Sequence, residues 1–285
     1  SSVSYSFSNA VKYLFQVLKL NFQRIYRFIA VRFLRGLMLD YPIKFKKKVK
    51  AIKEISTPKL PHPKSSKYKE YKLKLAKGYK TFRGWPNWKI GIESHEQHVS
   101  LHRWNWLLNS ASEDSIDLEW GFDLIRSWIS IMGVTPSGAA SESYSVAERI
   151  SNTCLFSRHF TKGWTGLPSD IKEVIQYKAY FLSRRLEFIP GNLTGNHIIN
   201  NSRALILAGY SLEENELIGL GRDLLYEYLP KVVDEDGFLR EGSSHYHFLF
   251  TRWILEIRMA AIDRQDRGTL RILEEILEKL LCACN

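Results

Sequence analysis

A succession of helical apolar patterns with short polar connections most constrains the fold of this chain. From about residue 95, apolar side chains recur every three or four residues in segments that end at turn signals. Neither a convincing strand nor a Walker loop or dinucleotide fingerprint accompanies them. Helices without a sheet predict an all-α protein, whether a bundle, a solenoid or an α/α toroid, and the absence of a fixed-period repeat argues against a regular solenoid. The helices are predicted at about 94–108, 115–132, 145–160, 169 onward to before Pro190, 194–208, 212–229, 243–262 and from 268.

Positive charge is concentrated at the start of the chain. The 285 residues carry a net charge of +11, which divides into +19 for residues 1–90 and −8 for the remainder. Such a basic segment suits nucleic acid, an anionic membrane surface or an acidic polymer. The run Lys46–Lys48 is not followed by a helix-turn-helix, zinc-finger or RNA-binding signature, so we expect no specific nucleic-acid partner.

Two kinds of segment are predicted within this basic part. Residues 7–39 have the pattern of basic amphipathic helices, which either pack on the rest of the fold or contact a membrane surface. Residues 40–80 are rich in lysine and proline and predict an irregular, solvated connector. We therefore divide the chain into residues 1–85, the basic helices and connector, and residues 86–285, the paired helices.

A polar cluster, Gly195–Asn201, opens the fifth predicted helix. It contains three asparagines, Asn196, Asn200 and Asn201, together with His197. Asparagine is unfavourable inside helices because its amide competes for backbone hydrogen bonds, so the cluster calls for an explanation. One explanation is helix capping with a buried amide network. The other is a set of donors aimed at an anion from a helix N-terminus, where the helix dipole favours negative charge.

A second polar cluster, Asp236–His247, precedes the seventh predicted helix. It contains Glu241, Tyr246 and His247. The spacing does not fit a calcium loop, because the glycine comes too early and a histidine stands where the bidentate glutamate belongs. His245 and His247 alternate along a helix and so do not face one another. We therefore predict no metal site.

The two clusters together resemble the heparinase II/III family of polysaccharide lyases, which is itself similar to alginate and oligoalginate lyases. The resemblance lies first in the Asn196–His197 pair with the following stretch to Gly209, and then in Asp236–Gly237, Glu241, Ser243 and Tyr246–His247. Two upstream stretches, 101–107 and 144–152, also resemble family segments. The resemblance covers about residues 85–265.

The resemblance implies an incomplete α/α toroid. In the family, a C-terminal β-sandwich domain follows the toroid and contributes a further histidine to an active site between the two domains. The sandwich is missing from this sequence, and we expect the toroid itself to be truncated at its C-terminal end. The family also implies a periplasmic or export-linked setting, although no secretory signal peptide is visible at the start of the sequence.

The implied reaction is β-elimination on a uronate-containing polysaccharide, giving a 4,5-unsaturated sugar without a cofactor. The implied catalytic residues are Asn196, His197 and Tyr246. Asn196, assisted by His197, would neutralise the substrate carboxylate, and Tyr246 would serve as the base at C5, the acid at O4, or both. We further assign substrate contacts to seven residues, for some of which packing is an equally good interpretation: Arg103, Trp104, Arg149, Asn200, Arg203, Glu241 and His247.

Three alternatives remain open at this stage. The first is a catalytically incomplete toroid that binds polysaccharide during surface-polymer assembly. The second is a hydrolase on the same architecture, which needs two opposed carboxylates; Glu148, Asp236 and Glu241 are available, but no pair stands out. The third is a nucleic-acid or membrane-surface protein that acts through its first 90 residues.

Overall fold

The computed structural model describes residue 38 and residues 41–64, 70–76, 78–89, 95–113, 116–188, 194–239 and 244–283. The predicted amphipathic helices over residues 7–39, apart from Met38, lie outside the described residues. Glu241 lies outside them too. The described part is dominated by helices, and no helix in it is both long enough and apolar enough to span a bilayer.

Ten α-helices, one short 3-10 helix and one two-stranded sheet form the described part of the chain, and the predicted all-α class is confirmed. The first elements are α1 (Ile43–Ala51), the antiparallel strands β1 (Glu70–Leu75) and β2 (Gly78–Arg83), α2 (His95–Arg103), α3 (Asn105–Ser112) and α4 (Leu118–Met132). They are followed by the 3-10 helix Gly138–Ser141, α5 (Ser143–Thr161), α6 (Ser169–Ser183), α7 (His197–Leu212), α8 (Asn215–Val232), α9 (Ser244–Asp263) and α10 (Arg267–Cys282).

Helix α7 is the central element of the described fold. Every residue from Ile198 to Leu212 is buried, because α5, α6, α8 and α9 all pack against this helix. A helix enclosed on all sides is normally apolar all round. Here the first two turns instead carry Asn200, Asn201, Ser202 and Arg203 into the interior, so this end of α7 needs polar partners from its neighbours.

Small residues allow α7 and α8 to pack closely. A Cβ atom added to Gly221 would lie 2.9 Å from the carbonyl oxygen of Ser202, and the Ser202 hydroxyl donates a 2.6 Å hydrogen bond to the carbonyl of Gly221. Gly209 has the same function further along, since its Cβ would lie 2.5 Å from the Ile218 side chain. Gly209 was expected to end α7, but the helix continues to Leu212. Gly209 therefore allows close packing of the two helices and does not end α7.

The segment 40–80 was expected to be an irregular connector; residues 53–64 do lack helix and strand, but α1 precedes them and the hairpin follows them. Two apolar patterns are interspersed with its lysines. Tyr41, Phe45 and Val49 recur every four residues, and they anchor α1 in the core next to α8. Leu73 and Leu75 alternate with lysines in β1, which pairs with β2 and packs against α3. The expectation that the chain has no strand is corrected by this hairpin.

The first helix of the predicted series is in fact two helices. Trp104 is fully buried and adopts the left-handed conformation, with φ 62° and ψ 25°, between α2 and α3. Bulky residues rarely occupy this region, so a sequence pattern does not reveal the break. The break frees the last carbonyl groups of α2, which accept hydrogen bonds from the side chains of α5.

Candidate functional site

The candidate site forms around the N-terminus of α7. The carbonyl oxygen of Asn196 accepts the first helical hydrogen bonds, from Ile199 and Asn200 at 3.0 and 3.2 Å. Asn196 is buried, with 5% of the residue exposed, whereas the side chain of His197 is 45% exposed. The two residues therefore place an amide and an imidazole at the positive end of the helix dipole, where an anion is favoured.

His197 is held by contacts on two sides. Its ring packs on the ring of Tyr144, with 4.8 Å between centroids. Its Nδ1 atom lies 3.2 Å from a carboxylate oxygen of Glu187, which precedes α7 in the chain. The contacts restrict the ring while nearly half of the side chain stays exposed. An imidazole fixed in this way is suited to proton transfer or to donation toward an anion.

Arg103 supplies positive charge beside this histidine. Its guanidinium lies over the Tyr144 ring at 4.2 Å, on the residue that also contacts His197, and its Nε atom donates to the Ser145 hydroxyl at 3.4 Å. Burial, reinforced by Glu148, raises the pKa of Tyr144 well above its usual value. Tyr144 therefore stays neutral and acts as a platform between Arg103 and His197.

A buried network of charged and polar side chains connects α7 to its neighbouring helices at the candidate site. Arg203, fully buried on α7, donates to Glu148 of α5 at 2.9 Å and to Asn200 at 3.0 Å, and it forms an ion pair with Glu256 of α9 at 2.6 Å. Burial alone would lower the pKa of Arg203, but the two carboxylates hold it above its usual value. The network joins α5 and α9 to the start of α7 through Arg203. Because Arg203 and Asn200 are both fully buried, we interpret these two predicted substrate contacts as framework residues.

Tyr246 lies in the first turn of α9 and is 49% exposed. The helical repeat places it on the same side of α9 as Trp253, about 10 Å further along the axis. The Trp253 ring is 5.9 Å from that of Tyr144, which in turn contacts His197. A chain of ring contacts therefore connects the helix that carries Tyr246 to the start of α7.

Three further residues assigned to substrate contact are also buried in the structure. Trp104 and Arg149 are fully buried, and the Arg149 guanidinium donates to the carbonyls of His102 and Ala140 at 2.8 and 2.6 Å. His247 is buried, with its Nε2 atom 3.2 Å from the carbonyl of Leu280 in α10. Because none of the three presents its polar group to solvent, we interpret them as framework residues.

Sequence reasoning missed two carboxylates of the site. The sequence signal for Glu256 is its i, i+4 spacing from Arg252 on α9. In the structure the charged atoms of this pair are 3.3 Å apart. Glu187 stands outside both polar clusters, and no local signal connects it to His197. Among the hydrolase candidates, Glu148 is buried against Arg203 and Asp236 lies in an exposed turn, so these two do not form an accessible pair.

The turn containing Asp234 and Asp236 has a structural explanation. One carboxylate oxygen of Asp234 accepts the backbone N–H groups of Asp236 and Phe238 at 3.1 and 2.8 Å. Gly237, with φ 88°, packs so tightly that an added Cβ would lie 2.3 Å from the carbonyl oxygen of Lys279. Within the ranges that the structure describes, no group of three or more histidine, cysteine, aspartate or glutamate residues could hold a metal ion.

Comparison with known proteins places the fold. Neither a family model nor a curated protein sequence matches the chain. Among solved structures, a heparinase III with methylated lysines aligns with a TM-score of 0.53 at 17% identity, over 84% of this chain and 44% of that protein. A second heparinase III crystal structure aligns with a TM-score of 0.49 at 22% identity, over 69% of this chain and 32% of that protein. The chain thus has the helical toroid fold of a heparinase-like polysaccharide lyase and spans less than half the length of these structures.

Proposed function

We propose that this chain is the toroid portion of a polysaccharide lyase that cleaves an acidic, uronate-containing polysaccharide by β-elimination. The observation that carries the proposal is the grouping of Asn196, His197 and Arg103 at the N-terminus of α7. Asn196 and His197 lie at the positive end of the α7 dipole, and the Arg103 guanidinium packs on the same Tyr144 ring as His197, so we assign the carboxylate of a uronate to this place. The heparinase-like fold supports the same assignment at the level of architecture.

The difficulty of the reaction explains the need for these groups. Removing the proton at C5 of a uronate places more negative charge beside a carboxylate that is already ionised. Donors that stabilise the enolate-like intermediate therefore lower the barrier. Asn196 donates from its amide, His197 assists and Arg103 adds positive charge. Tyr246 is assigned the proton transfers, as base at C5, as acid at O4, or in both steps.

The second candidate function is polysaccharide binding by a toroid that is catalytically incomplete on its own. The chain spans 44% of the better-aligned heparinase structure, and the family resemblance implies a further active-site histidine from a domain outside this part. In this version the toroid binds acidic polysaccharide during surface-polymer assembly. We place either activity in the periplasm. Contact of the basic residues 7–39 with a membrane surface stays a prediction.

The test is the appearance of ultraviolet absorbance from a 4,5-unsaturated uronate. Heparan sulfate, alginate, hyaluronan and bacterial acidic polymers are supplied to the chain alone and to the chain with its natural downstream sequence. We expect Tyr246→Phe to lower the rate at least about 100-fold, since general acid–base groups contribute that much or more. Tyr226→Phe is the matched control, because Tyr226 is 72% exposed on α8, and it should keep full activity.

Each outcome separates the candidates. Turnover that is lost only in Tyr246→Phe supports the lyase. Turnover confined to the extended protein supports a toroid that requires a further domain. The absence of turnover, combined with calorimetric binding of an acidic polymer that Arg103→Gln weakens, favours the binding toroid. Equal turnover in both tyrosine variants would contradict the role of Tyr246.

A further inference from the structure

Within the described residues, Glu187 is the carboxylate that touches the exposed histidine of the candidate site. It follows α6 and precedes α7, so the chain brings it back across the start of the helix that carries His197. Its Oε1 atom lies 3.2 Å from His197 Nδ1, and its side chain is only 18% exposed. Neither polar cluster of the sequence includes it, and the proposed reaction gives it no part.

Asn201 fixes the orientation of this carboxylate. The Asn201 Oδ1 atom accepts the backbone N–H of Glu187 at 3.0 Å, and Asn201 Nδ2 donates to Glu187 Oε2 at 3.4 Å. A backbone N–H can only donate, so the Asn201 amide cannot be turned round without losing this bond. The amide nitrogen therefore faces Glu187, and the carboxylate oxygen there must accept. The other carboxylate oxygen, Oε1, faces His197.

The same argument assigns the proton of His197. An ionised carboxylate only accepts hydrogen bonds, so Nδ1 of His197 must carry a hydrogen when it faces Glu187. In the neutral ring the lone pair is then on Nε2. The ring cannot swing freely, because Tyr144 packs on it at 4.8 Å. Any gain or loss of a proton therefore takes place at Nε2, the nitrogen that Glu187 does not bind.

We propose that Glu187 is a positioning residue that holds His197 in the Nδ1–H tautomer and reserves Nε2 for the substrate. This inference rests on the proposed function, in which His197 faces a uronate. When Nε2 takes up a proton, Glu187 compensates the positive charge of the ring, and the new N–H is available to the substrate carboxylate. Asn201 acts through Glu187 in keeping this geometry.

The tautomer is measured directly and without substrate. Long-range proton–nitrogen correlation spectra of protein with isotope-labelled histidine distinguish the two tautomers, and His197→Asn identifies the signal of His197. The spectra are recorded well above the ordinary histidine pKa of about 6.5. We expect Nδ1–H in the native protein. A native protein with Nε2–H would overturn the proposal, even if every Glu187 variant fails to fold.

Glu187→Gln gives the sharper result. Because Asn201 Nδ2 still needs an acceptor, the glutamine must turn its oxygen to Asn201 and its amide nitrogen to His197. Nδ1 then has to accept, so the tautomer should reverse to Nε2–H. Retention of Nδ1–H in this variant would contradict the proposal. Glu173→Gln, an exposed glutamate on α6, is the matched control and should leave the spectrum of His197 unchanged.

Kinetics then separate this inference from the proposed function. If the native protein is a lyase, Glu187→Gln should lower kcat about 10- to 100-fold with little change in KM, because the ring stays in place with its proton on the wrong nitrogen. A reversed tautomer with an unchanged kcat would overturn the positioning role while leaving the lyase intact. If the native protein shows no turnover, the proposed function fails, and the spectra still decide the role of Glu187.

Discussion

Two fully buried arginines illustrate two different ways in which this fold accommodates charge. Arg203 is bound by the carboxylates of Glu148 and Glu256, and its pKa is held above the usual value. Arg149 donates instead to two backbone carbonyls and lies 4.8 Å from the Trp128 ring centre. Burial, together with repulsion by Arg103, lowers the pKa of Arg149 to about 9. Both arginines are desolvated, but the first is paired with acids and the second with backbone carbonyls.

The neighbours of each arginine follow the same division. Near Arg149, the fully buried Lys178 donates to the carbonyl of Val134 at 2.9 Å, and burial lowers its pKa well below the usual value. His102, buried beside the same Trp128, has its pKa lowered to about 4 by burial, His98 and Arg149. Arg203 is thus paired with carboxylates at the start of α7, whereas the described basic groups around Trp128 are hydrogen-bonded to carbonyls or to the indole. Removing a partner should therefore affect the two regions differently.

The largest expected effect is the loss of Arg203. Arg203→Met leaves Glu148 buried without its cation, which should lower the free energy of unfolding by about 3–5 kcal/mol. Urea denaturation measures this value, and the double variant with Glu148→Gln should recover part of it. Arg83→Met is the control, because Arg83 forms an exposed pair with Glu70 that is worth at most about 1 kcal/mol. Equal losses in both arginine variants would show that burial of the pair carries no special cost.

The second-largest expected effect is a loss of folding stability at acid pH, caused by His102. Its Nδ1 atom accepts a hydrogen bond from the Trp128 indole at 3.2 Å, which requires an unprotonated nitrogen. The pKa of His102 is about 4 in the folded protein and about 6.5 in the unfolded chain. Between these pH values the unfolded chain therefore binds a proton that the folded protein does not bind. Stability from this group is full above about pH 6.5 and falls as the pH drops toward 4, by at most about 3 kcal/mol.

A pair of histidine variants measures this contribution. His102→Gln should flatten the dependence of the unfolding free energy on pH over that interval, whatever its effect on absolute stability. His159→Gln should keep the native slope, since His159 is exposed at the end of α5. A native slope in His102→Gln would mean that other groups carry the acid sensitivity.

The smallest expected effect is at Lys178. Lys178→Met removes a desolvated amine, keeps the volume of its stem and gives up one hydrogen bond to Val134. The unfolding free energy should therefore change by less than about 1.5 kcal/mol, in either direction. Chemical denaturation beside Lys172→Met on the surface of α6 checks this. A loss as large as that of Arg203→Met would erase the distinction between the two regions.

The helices could be predicted closely, because their apolar spacing is a local property. The segment predicted at 145–160 is observed at Ser143–Thr161, and the one predicted at 212–229 is observed at Asn215–Val232. Pro230 was expected to end the latter but lies within its last turn, where the helix continues for two residues. The hairpin was missed because the lysines of β1 outweighed the alternation of Leu73 and Leu75.

The candidate site could be predicted only in part, for a physical reason. The Asn196–His197 pair is recognisable because it stands together at a helix start. The residues that hold this pair in place are distant in the sequence: Arg203 forms ion pairs with Glu148 and Glu256, which are 55 and 53 residues away from it. Such pairings depend on how helices pack, which no local pattern records. The catalytic roles of Asn196, His197 and Tyr246 stay predictions.

The left-handed turn at Trp104 makes two distant segments dependent on one another. The carbonyls of His102 and Arg103, freed at the end of α2, receive the side chains of Arg149 and Asn152 at 2.8 and 2.9 Å. Straightening the chain at Trp104 would withdraw both acceptors at once, so a change at either end needs a matching change at the other. Because both acceptors are backbone carbonyls, the coupling depends on the path of the chain at Trp104 and on the identities of Arg149 and Asn152.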